Sequence, residues 1–138
     1  PKLTNNRADY VMAAAKRYEC NVTVEVEFLP DQSDITLNRY AFAYHIKITN
    51  TGNVTAQLIS RHWVIVEANG EKQEVKGLGV VGAQPLLLPN SHFEYTSGTV
   101  LNSPMGEMHG SYQMVAEDGT QFDVQIAPFI LAMPRVLH

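Results

Sequence analysis

The sequence lacks the features that would place it in several common classes of protein. Its 138 residues contain a single cysteine, Cys20, so the chain has no internal disulfide, as is typical of a reducing compartment. The 10 basic residues are outnumbered by 14 acidic ones, and the net charge of −4 leaves no basic excess to neutralise phosphates. We therefore do not expect nucleic acid as a partner.

Long apolar runs are also missing. The longest are residues 10–15, 85–89 and 126–134, whereas a membrane span needs about 20 apolar residues. The first run is shorter than the apolar region of a signal peptide, and Lys16 and Arg17 follow it instead of a small-residue cleavage site. These absences predict a cytoplasmic protein that makes no contact with a membrane.

What remains is the composition of one globular domain, 45% apolar and 17% charged. Residues 1–18 differ from the rest, because residues 8–17 are rich in helix formers and Asn6 is a candidate helix cap. Such a short helix is marginal in water, so a short helix and a disordered tail are both open for this extension. We expect the folded domain to span residues 19–138.

From Glu19 onward apolar residues alternate with polar ones, which is the period of a half-buried strand. We predict strands at 20–28, 40–48 and 55–67, a polar edge strand at 71–76, and further strands at 93–97, 112–116, 122–126 and 129–133. Residues 98–110 are predicted to form a loop. Asn69-Gly70 and Asp118-Gly119 predict two-residue type I′ hairpins, in which both central residues need positive φ. Seven to nine short strands indicate an all-β, antiparallel β-sandwich.

The sharpest local motif is the G-x-G-x-x-G pattern of Gly77, Gly79 and Gly82. In a dinucleotide-binding fold this pattern opens a helix, but Pro85 and Pro89 follow here and disfavour a helix. Glycines also let successive backbone N–H groups form a nest that holds an anion without a helix. Two interpretations remain: a nucleotide or pyrophosphate site, or a plain connection between strands.

The residues form no evident catalytic or metal-binding set. A G-x-S-x-G nucleophile motif is missing, and Cys20 continues the apolar face of its strand as an inert thiol. The histidines are not spaced as zinc ligands; they are His45, His62, His92, His109 and His138. We therefore expect a non-enzymatic protein with no cofactor and no metal site.

The segment Ser60-Arg61-His62-Trp63 is the second unusual feature, since it holds the only tryptophan. Alternation places Trp63 and Arg61 on the inward face of a strand and His62 on the outward face, and an inward arginine requires a bulge or a paired charge. A lone tryptophan in a sandwich strand is most often core, but tryptophan and arginine are also enriched in binding hot spots. Arg61, His62 and Trp63 are therefore candidates for an interaction surface.

Several blocks of the sequence, in order and spacing, resemble the ApaG family over about residues 20–138. They are SRHW at 60–63, QEV at 73–75, GLGVVG at 77–82, QPLLL at 84–88, FEYTSG at 93–98, MHGSYQM at 108–114 and MPRVLH at 133–138. The resemblance implies a fibronectin type III-like, immunoglobulin-like sandwich. It also implies mostly bacterial proteins of undetermined activity, associated by name and genetic context with cobalt and magnesium tolerance.

The same resemblance bears on function. Similar domains in eukaryotic F-box proteins and in a DNA-polymerase-interacting protein imply a role in binding a protein partner. The glycine motif that is regarded in the family as a pyrophosphate site maps onto Gly77, Gly79 and Gly82. We therefore predict a non-enzymatic interaction module linked to divalent-cation homeostasis, with nucleotide or pyrophosphate binding through residues 77–82 as the alternative and direct cation binding as a third hypothesis.

Overall fold

Eight β-strands and two single turns of 3-10 helix make up the fold in a computed structural model, which describes residues 14–135. The 3-10 turns, Pro30–Gln32 and Ile35–Leu37, connect the first two strands. Within residues 14–135 no helix is long and apolar enough to cross a membrane. The strands are β1 (Cys20–Phe28), β2 (Tyr40–Asn50), β3 (Ala56–Glu67), β4 (Lys72–Leu78), β5 (Leu86–Leu87), β6 (His92–Leu101), β7 (Met105–Ala116) and β8 (Gln121–Ala132).

The strands pair into two antiparallel sheets. The first sheet has the order β1-β2-β6 and the second β4-β3-β7-β8, with the short β5 pairing the start of β3. In immunoglobulin constant domains the fourth strand joins the sheet of the first strand. Here β4 pairs with β3 instead, which is the arrangement of fibronectin type III domains. The predicted antiparallel sandwich is therefore confirmed, with eight strands.

The core lies between the two sheets and is built by the alternation seen in the sequence. Trp63 of β3 is 3% exposed and sits at the centre of an aromatic cluster. Its ring centroid lies 5.6 Å from that of Tyr44, 6.3 Å from that of Tyr112 and 5.9 Å from that of Phe129, in edge-on geometries. Each pair of this kind contributes about 0.5–1.5 kcal/mol beyond its buried area.

A β-bulge interrupts β3 and changes which of its residues face inward. The register with β7 shifts between Leu58 and Ser60, leaving Ile59 as the extra residue. Leu58 and Trp63 are both buried although they are an odd number of residues apart, because the bulge reverses the alternation between them. Beyond the bulge, Arg61 lies on the same face of the strand as Trp63.

Two hairpins form where predicted, but with a different turn. At Asn69-Gly70 and at Asp118-Gly119 only the glycine has positive φ, 89° for Gly70 and 88° for Gly119. Each loop has three residues, a type I turn followed by a left-handed glycine, so the predicted type I′ turns are wrong. The Asn-Gly and Asp-Gly pairs therefore predicted where each hairpin lies, but not how many residues its loop contains.

Two predicted element boundaries are also wrong. Residues 98–101 and 105–110, predicted as loop, continue β6 and begin β7, so the connection is only residues 102–104. Residues 129–132, predicted as a separate strand, are the end of the long β8. Of the predicted N-terminal helix, residues 14–17 are not helical, and residues 1–13 lie outside the described part of the chain.

Residues 14–19 run along the end of the sandwich and are held by polar contacts. Asp118 in the β7–β8 turn accepts hydrogen bonds from the Tyr18 hydroxyl at 2.6 Å and the Lys16 ammonium at 2.9 Å. The backbone N–H of Asn53 donates to the Arg17 carbonyl, and that of Thr51 donates to the Glu19 carbonyl. The hydrogen bonds from Tyr18, Lys16 and Thr120 hold the pKa of Asp118 below its ordinary value.

Asp118→Asn is expected to loosen this segment. Removing the charge weakens the bonds from Lys16 and Tyr18, so hydrogen exchange of the Thr51 and Asn53 amides should accelerate roughly two- to fivefold at neutral pH. Because the pKa of Asp118 is lowered in the folded state, its contribution is complete above the ordinary carboxyl pKa and is lost as the pH falls through the folded value. The difference between wild type and variant should therefore shrink only below about pH 4.

Asp123→Asn is the matched control for this experiment. Asp123 is an exposed carboxylate on β8 that forms no ion pair with the rest of residues 14–135. Equal exchange rates in Asp118→Asn and Asp123→Asn would show that Asp118 does not hold the segment.

Candidate functional site

The glycine motif forms the end of β4 and a tight turn. Val80 and Ala83 exchange two backbone hydrogen bonds of 2.8 and 2.9 Å, and the two residues between them, Val81 and Gly82, have φ of 43° and 80°. Positive φ at both central residues defines a type I′ turn. The motif is followed by β5, so it opens no helix and has none of the geometry of a dinucleotide-binding fold.

The backbone N–H groups of this turn are largely occupied by protein acceptors. The N–H of Gly79 donates to the Ile59 carbonyl at 2.8 Å, and that of Val80 donates to Ala83. An anion nest needs successive N–H groups that point at a common empty position. The geometry therefore favours the plain connection between strands, and the pyrophosphate site at Gly77, Gly79 and Gly82 stays a prediction.

Arg61 explains much of the local sequence. Its Nη1 donates to the carbonyls of Leu78 at 3.0 Å and Gly79 at 2.8 Å. A Cβ on Gly77 would lie 2.8 Å from the same nitrogen, so the first glycine of the motif makes room for the guanidinium group. The bulge in β3 turns Arg61 inward, and two backbone carbonyls accommodate its guanidinium group, with no carboxylate of residues 14–135 as an ion-pair partner.

The other two interaction candidates differ in accessibility. Trp63 is buried in the aromatic cluster, because the inward face of β3 beyond the bulge belongs to the core. The prediction that Trp63 lies on a partner surface is therefore corrected. His62 points outward, and its Nε2 lies 2.5 Å from the Glu74 carboxylate of the neighbouring β4. This hydrogen bond lowers the pKa of Glu74, whose side chain is 54% exposed.

Four large aliphatic side chains near the motif face solvent. Leu78, Val81, Leu86 and Leu88 are 76%, 59%, 60% and 55% exposed, and we call them the aliphatic patch. Residues 77–90 include no charged residue. Exposed apolar side chains grouped in this way mark binding surfaces more often than isolated ones do.

The aliphatic patch could have been predicted from the absence of charge over residues 77–90, but not from the hydrophobic periodicity of the sequence. In the run Leu86-Leu87-Leu88 the middle leucine is 2% exposed, whereas its neighbours point to solvent. A short apolar run does not by itself show which of its members face outward. The absence of charge over residues 77–90 was the stronger indication.

The segment that carries the aliphatic patch is fixed to β3. Gln84 Nε2 donates to the Ile59 carbonyl at 2.9 Å, Gln57 Nε2 donates to the Gln84 carbonyl at 3.0 Å, and the Leu58 N–H donates to the Pro85 carbonyl at 3.0 Å. The Val80 side chain is fully buried beneath the turn. These contacts hold the patch in one conformation, which reduces the entropy that binding would otherwise cost.

A groove of about 470 Å³ lies beside Leu78 on the outer face of the second sheet, between β4, β3 and β7. Ser60 donates its hydroxyl hydrogen to Gln113 Oε1 at 2.8 Å, and His62 is engaged by Glu74. Ser111 lies opposite His62 on β7, but its hydroxyl oxygen accepts from Gln113 Nε2, and within residues 14–135 no serine forms a hydrogen bond with the His62 imidazole. Other residues that line the groove are Arg61, Lys76 and Gly77.

Metal and thiol chemistry find little support in the described residues. Over residues 14–135 no group of three or more histidine, cysteine, aspartate or glutamate side chains is placed to hold a metal ion. Burial raises the pKa of Cys20 to about 11, which keeps it a neutral thiol at physiological pH. Burial also raises the pKa of Tyr95 and Tyr112, whose hydroxyls are 2.5 Å apart in the core.

Comparison with known proteins places these features in a family. Residues 30–116 match the ApaG domain family, and Protein ApaG of Methylobacillus flagellatus is 64% identical over 127 residues, which are 92% of this chain and 100% of that protein. The chain belongs to the ApaG family. Protein ApaG of Nitrosospira multiformis is 61% identical over 127 residues, with the same coverage.

Solved structures agree with this assignment. The crystal structure of the ApaA protein from Bordetella pertussis has a TM-score of 0.84 and 52% identity, over 89% of this chain and 100% of that chain. The C-terminal domain of Wzt has a TM-score of 0.53 at 7% identity, over 89% of this chain and 78% of that chain, and shares the fold alone. This ApaG domain is thus a β-sandwich in which the glycine motif forms the end of β4 and a tight turn.

Two alanine substitutions test whether the glycines of this ApaG domain are architectural. A Cβ on Gly79 would lie 2.4 Å from the Ala83 carbonyl oxygen, whereas a Cβ on Gly82 meets nothing within 4 Å. We expect Gly82→Ala to cost about 1–2 kcal/mol, for its left-handed φ alone, and Gly79→Ala to cost about 3 kcal/mol or more in urea unfolding.

Gly70→Ala is the matched control, because Gly70 also has positive φ and open space around it. It should resemble Gly82→Ala. A Gly79→Ala variant as stable as these two would contradict the architectural role of the motif.

Proposed function

We propose that this ApaG domain is a non-enzymatic protein-binding module that docks its partner on the aliphatic patch. The observation that carries this proposal is the exposure of Leu78, Val81, Leu86 and Leu88 on an uncharged segment that β3 holds in place. Burying the exposed half of one such side chain contributes about 1 kcal/mol. A rigid patch of four therefore supplies a useful share of the affinity of a partner.

The conformation of Val81 supports the proposal independently. A β-branched residue in the left-handed region costs about 1–2 kcal/mol, and asparagine is the preferred residue at this position of a type I′ turn. Val81 nevertheless has a φ of 43° and is 59% exposed, so neither burial nor turn geometry accounts for a valine here. A gain in binding is a physical reason to keep an apolar side chain at the tip of the turn.

Nucleotide or pyrophosphate binding is the second candidate, because Lys76 directly precedes the glycine motif and the Arg61 guanidinium packs against Gly77, although the two side chains lie on opposite faces of β4. The occupied N–H groups of Gly79 and Val80 weigh against it. If amide resonances of residues 77–82 do not shift with pyrophosphate and magnesium, the hypothesis is excluded. The association with cobalt and magnesium tolerance stays a prediction of the family resemblance.

Site-specific photo-crosslinking in the cells that produce the protein tests the proposed surface. A photoreactive amino acid at Leu78 or Leu86 should give one discrete adduct with another protein, because both positions would be covered in the complex. The same probe at Leu37, which is 73% exposed but lies in the β1–β2 connection, is the control and should give none. Adducts of equal yield at all three positions, or none at 78 and 86, would refute the proposal.

Val81→Asn separates stability from binding. We expect the free energy of unfolding to rise by about 0.5–1.5 kcal/mol, because asparagine tolerates positive φ, while the crosslink yield at Leu78 falls. Leu37→Asn, the matched loss of an exposed apolar side chain, should leave the yield unchanged. A Val81→Asn protein that is more stable and crosslinks as well as wild type would show that Val81 takes no part in binding.

A further inference from the structure

We infer that the free edge of β6 accepts an extended segment of another protein, which becomes a fourth strand of the first sheet and packs aliphatic side chains on Val75 of β4. This surface is separate from the aliphatic patch, and the proposed function makes no use of it. The inference comes from the unequal number of strands in the two sheets and from the unpaired backbone groups of β6.

The free edge of β6 presents backbone groups that residues 14–135 leave unpaired. The carbonyl of Ala41 accepts from Leu29 on the β1 side, and Asn50 exchanges backbone hydrogen bonds with residues 90 and 91 on the β6 side. Even-numbered residues of β2 therefore bond to the odd-numbered residues of β6 with which they are in register. The residues between these direct their N–H and C=O groups away from β2; they are Glu94, Thr96, Gly98 and Val100, all of them exposed.

The strand β6 also lacks the features by which edge strands usually avoid pairing with another chain, such as charges, prolines and bulges. It is 10 residues long, its register with β2 is continuous, and residues 95–103 include neither a charged residue nor a proline. The edge strand of the second sheet, β4, is protected by Lys72, Glu74 and Lys76, and β1 lies against β8 on the other side of the sandwich. The edge of β6 is therefore the one most suited to accept another strand.

The second sheet extends past β6 by about the width of one strand. Its main path has four strands against three in the first sheet, and the sheets meet where β1 lies against β8, so β4 extends past β6 on the opposite side. Gln73 and Val75 face the first sheet, because they pair with the buried Ile65 and Trp63. Both are nevertheless exposed, Val75 by 38%. An added strand next to β6 would lie over these two side chains and cover them.

A single segment suits this position better than a second copy of the domain does. If two copies paired through β6, the second sheet of one copy would meet β4 of the other, because β4 already extends over the position of the added strand. A separate extended segment brings no second layer and avoids this overlap.

The two faces of the segment meet different surroundings. Its inward side chains contact Val75, so we expect valine or isoleucine there. Its outward side chains lie beside the uncharged Thr96, Gly98 and Val100, so uncharged polar residues suit the alternate positions. Proline is excluded wherever the segment donates an N–H to β6.

A synthetic peptide with this pattern tests the inference on the full chain. It has about eight residues, alternates valine with threonine and carries a lysine at each end for solubility. We expect it to shift the amide resonances of Thr96 and Gly98 and to slow their hydrogen exchange at least about fivefold, because these N–H groups become bonded. The amides of Tyr95 and Ser97, which already face β2, should change less.

Two N-methylated forms of the peptide separate strand pairing from side-chain contact. Opposite residues of an antiparallel pair share a face, so the outward threonines direct their N–H groups to β6 and the valines direct theirs to solvent. N-methylation of the threonines should abolish binding, whereas N-methylation of the valines should leave the affinity within about twofold.

Val75→Ser tests the contact with β4. We expect this variant to bind the peptide roughly three- to fivefold more weakly, because an apolar contact is lost. Val26→Ser is the matched control, since Val26 is 37% exposed on β1, on the far side of β2 from β6, and should leave the affinity unchanged. Amide NMR spectra of both variants show whether the fold persists.

The outcomes that oppose the inference are distinct. Equal binding of the two methylated peptides, or unchanged amides of Thr96 and Gly98 at millimolar peptide, would overturn the pairing with β6. Equal weakening by Val75→Ser and Val26→Ser would overturn the packing on β4. Shifts of the same amides that grow with protein concentration alone would show that a second copy takes the edge, which also overturns the inference. None of these results bears on the aliphatic patch, which crosslinking at Leu78 and Leu86 tests separately.

Discussion

The bulge at Ile59 is the local constraint on which the candidate site depends. By inserting one residue into β3 it turns Trp63 into the core and lets Arg61 reach the carbonyls of Leu78 and Gly79. The Ile59 carbonyl also accepts from the Gly79 N–H and from Gln84 Nε2, so one peptide group anchors both sides of the type I′ turn. Without the bulge, the alternation of β3 would not place Leu58 and Trp63 on the same face.

The anchored turn displays apolar surface at a cost in stability. Val80 is buried beneath the turn and Val81 is exposed at its tip in a left-handed conformation. A sequence selected for folding alone would have a polar residue at that tip, since asparagine fits the conformation and water. The turn therefore combines a strained residue with a well-fixed backbone, a combination that is common where a protein presents a binding surface.

Much of the fold was predictable because each strand of a half-buried sheet imposes a period of two on the sequence. That period identified β1, β2 and β3 almost to the residue. It did not detect the bulge, because one inserted residue leaves the composition of the strand unchanged while reversing its faces. The turn types also differed, since Asn-Gly is compatible with both two- and three-residue loops and cross-strand packing decides between them.

The candidate site was only partly predictable, for a similar reason. The glycine pattern and Arg61 were found in the sequence, but their relation depends on the pairing of Arg61 with Gly77 across β3 and β4, which a motif of local spacing does not contain. The exposure of Leu78 follows from the same pairing, and that of Leu86 follows from the pairing of β5 with β3.

Backbone ¹⁵N relaxation over residues 77–90 tests most directly whether the turn is a rigid platform. If the bonds from β3 hold it, we expect order parameters of about 0.85 at residues 78–86, equal to those of the flanking strands. Order parameters below about 0.6 there would mean a flexible connection, and a preorganised binding surface would then be contradicted.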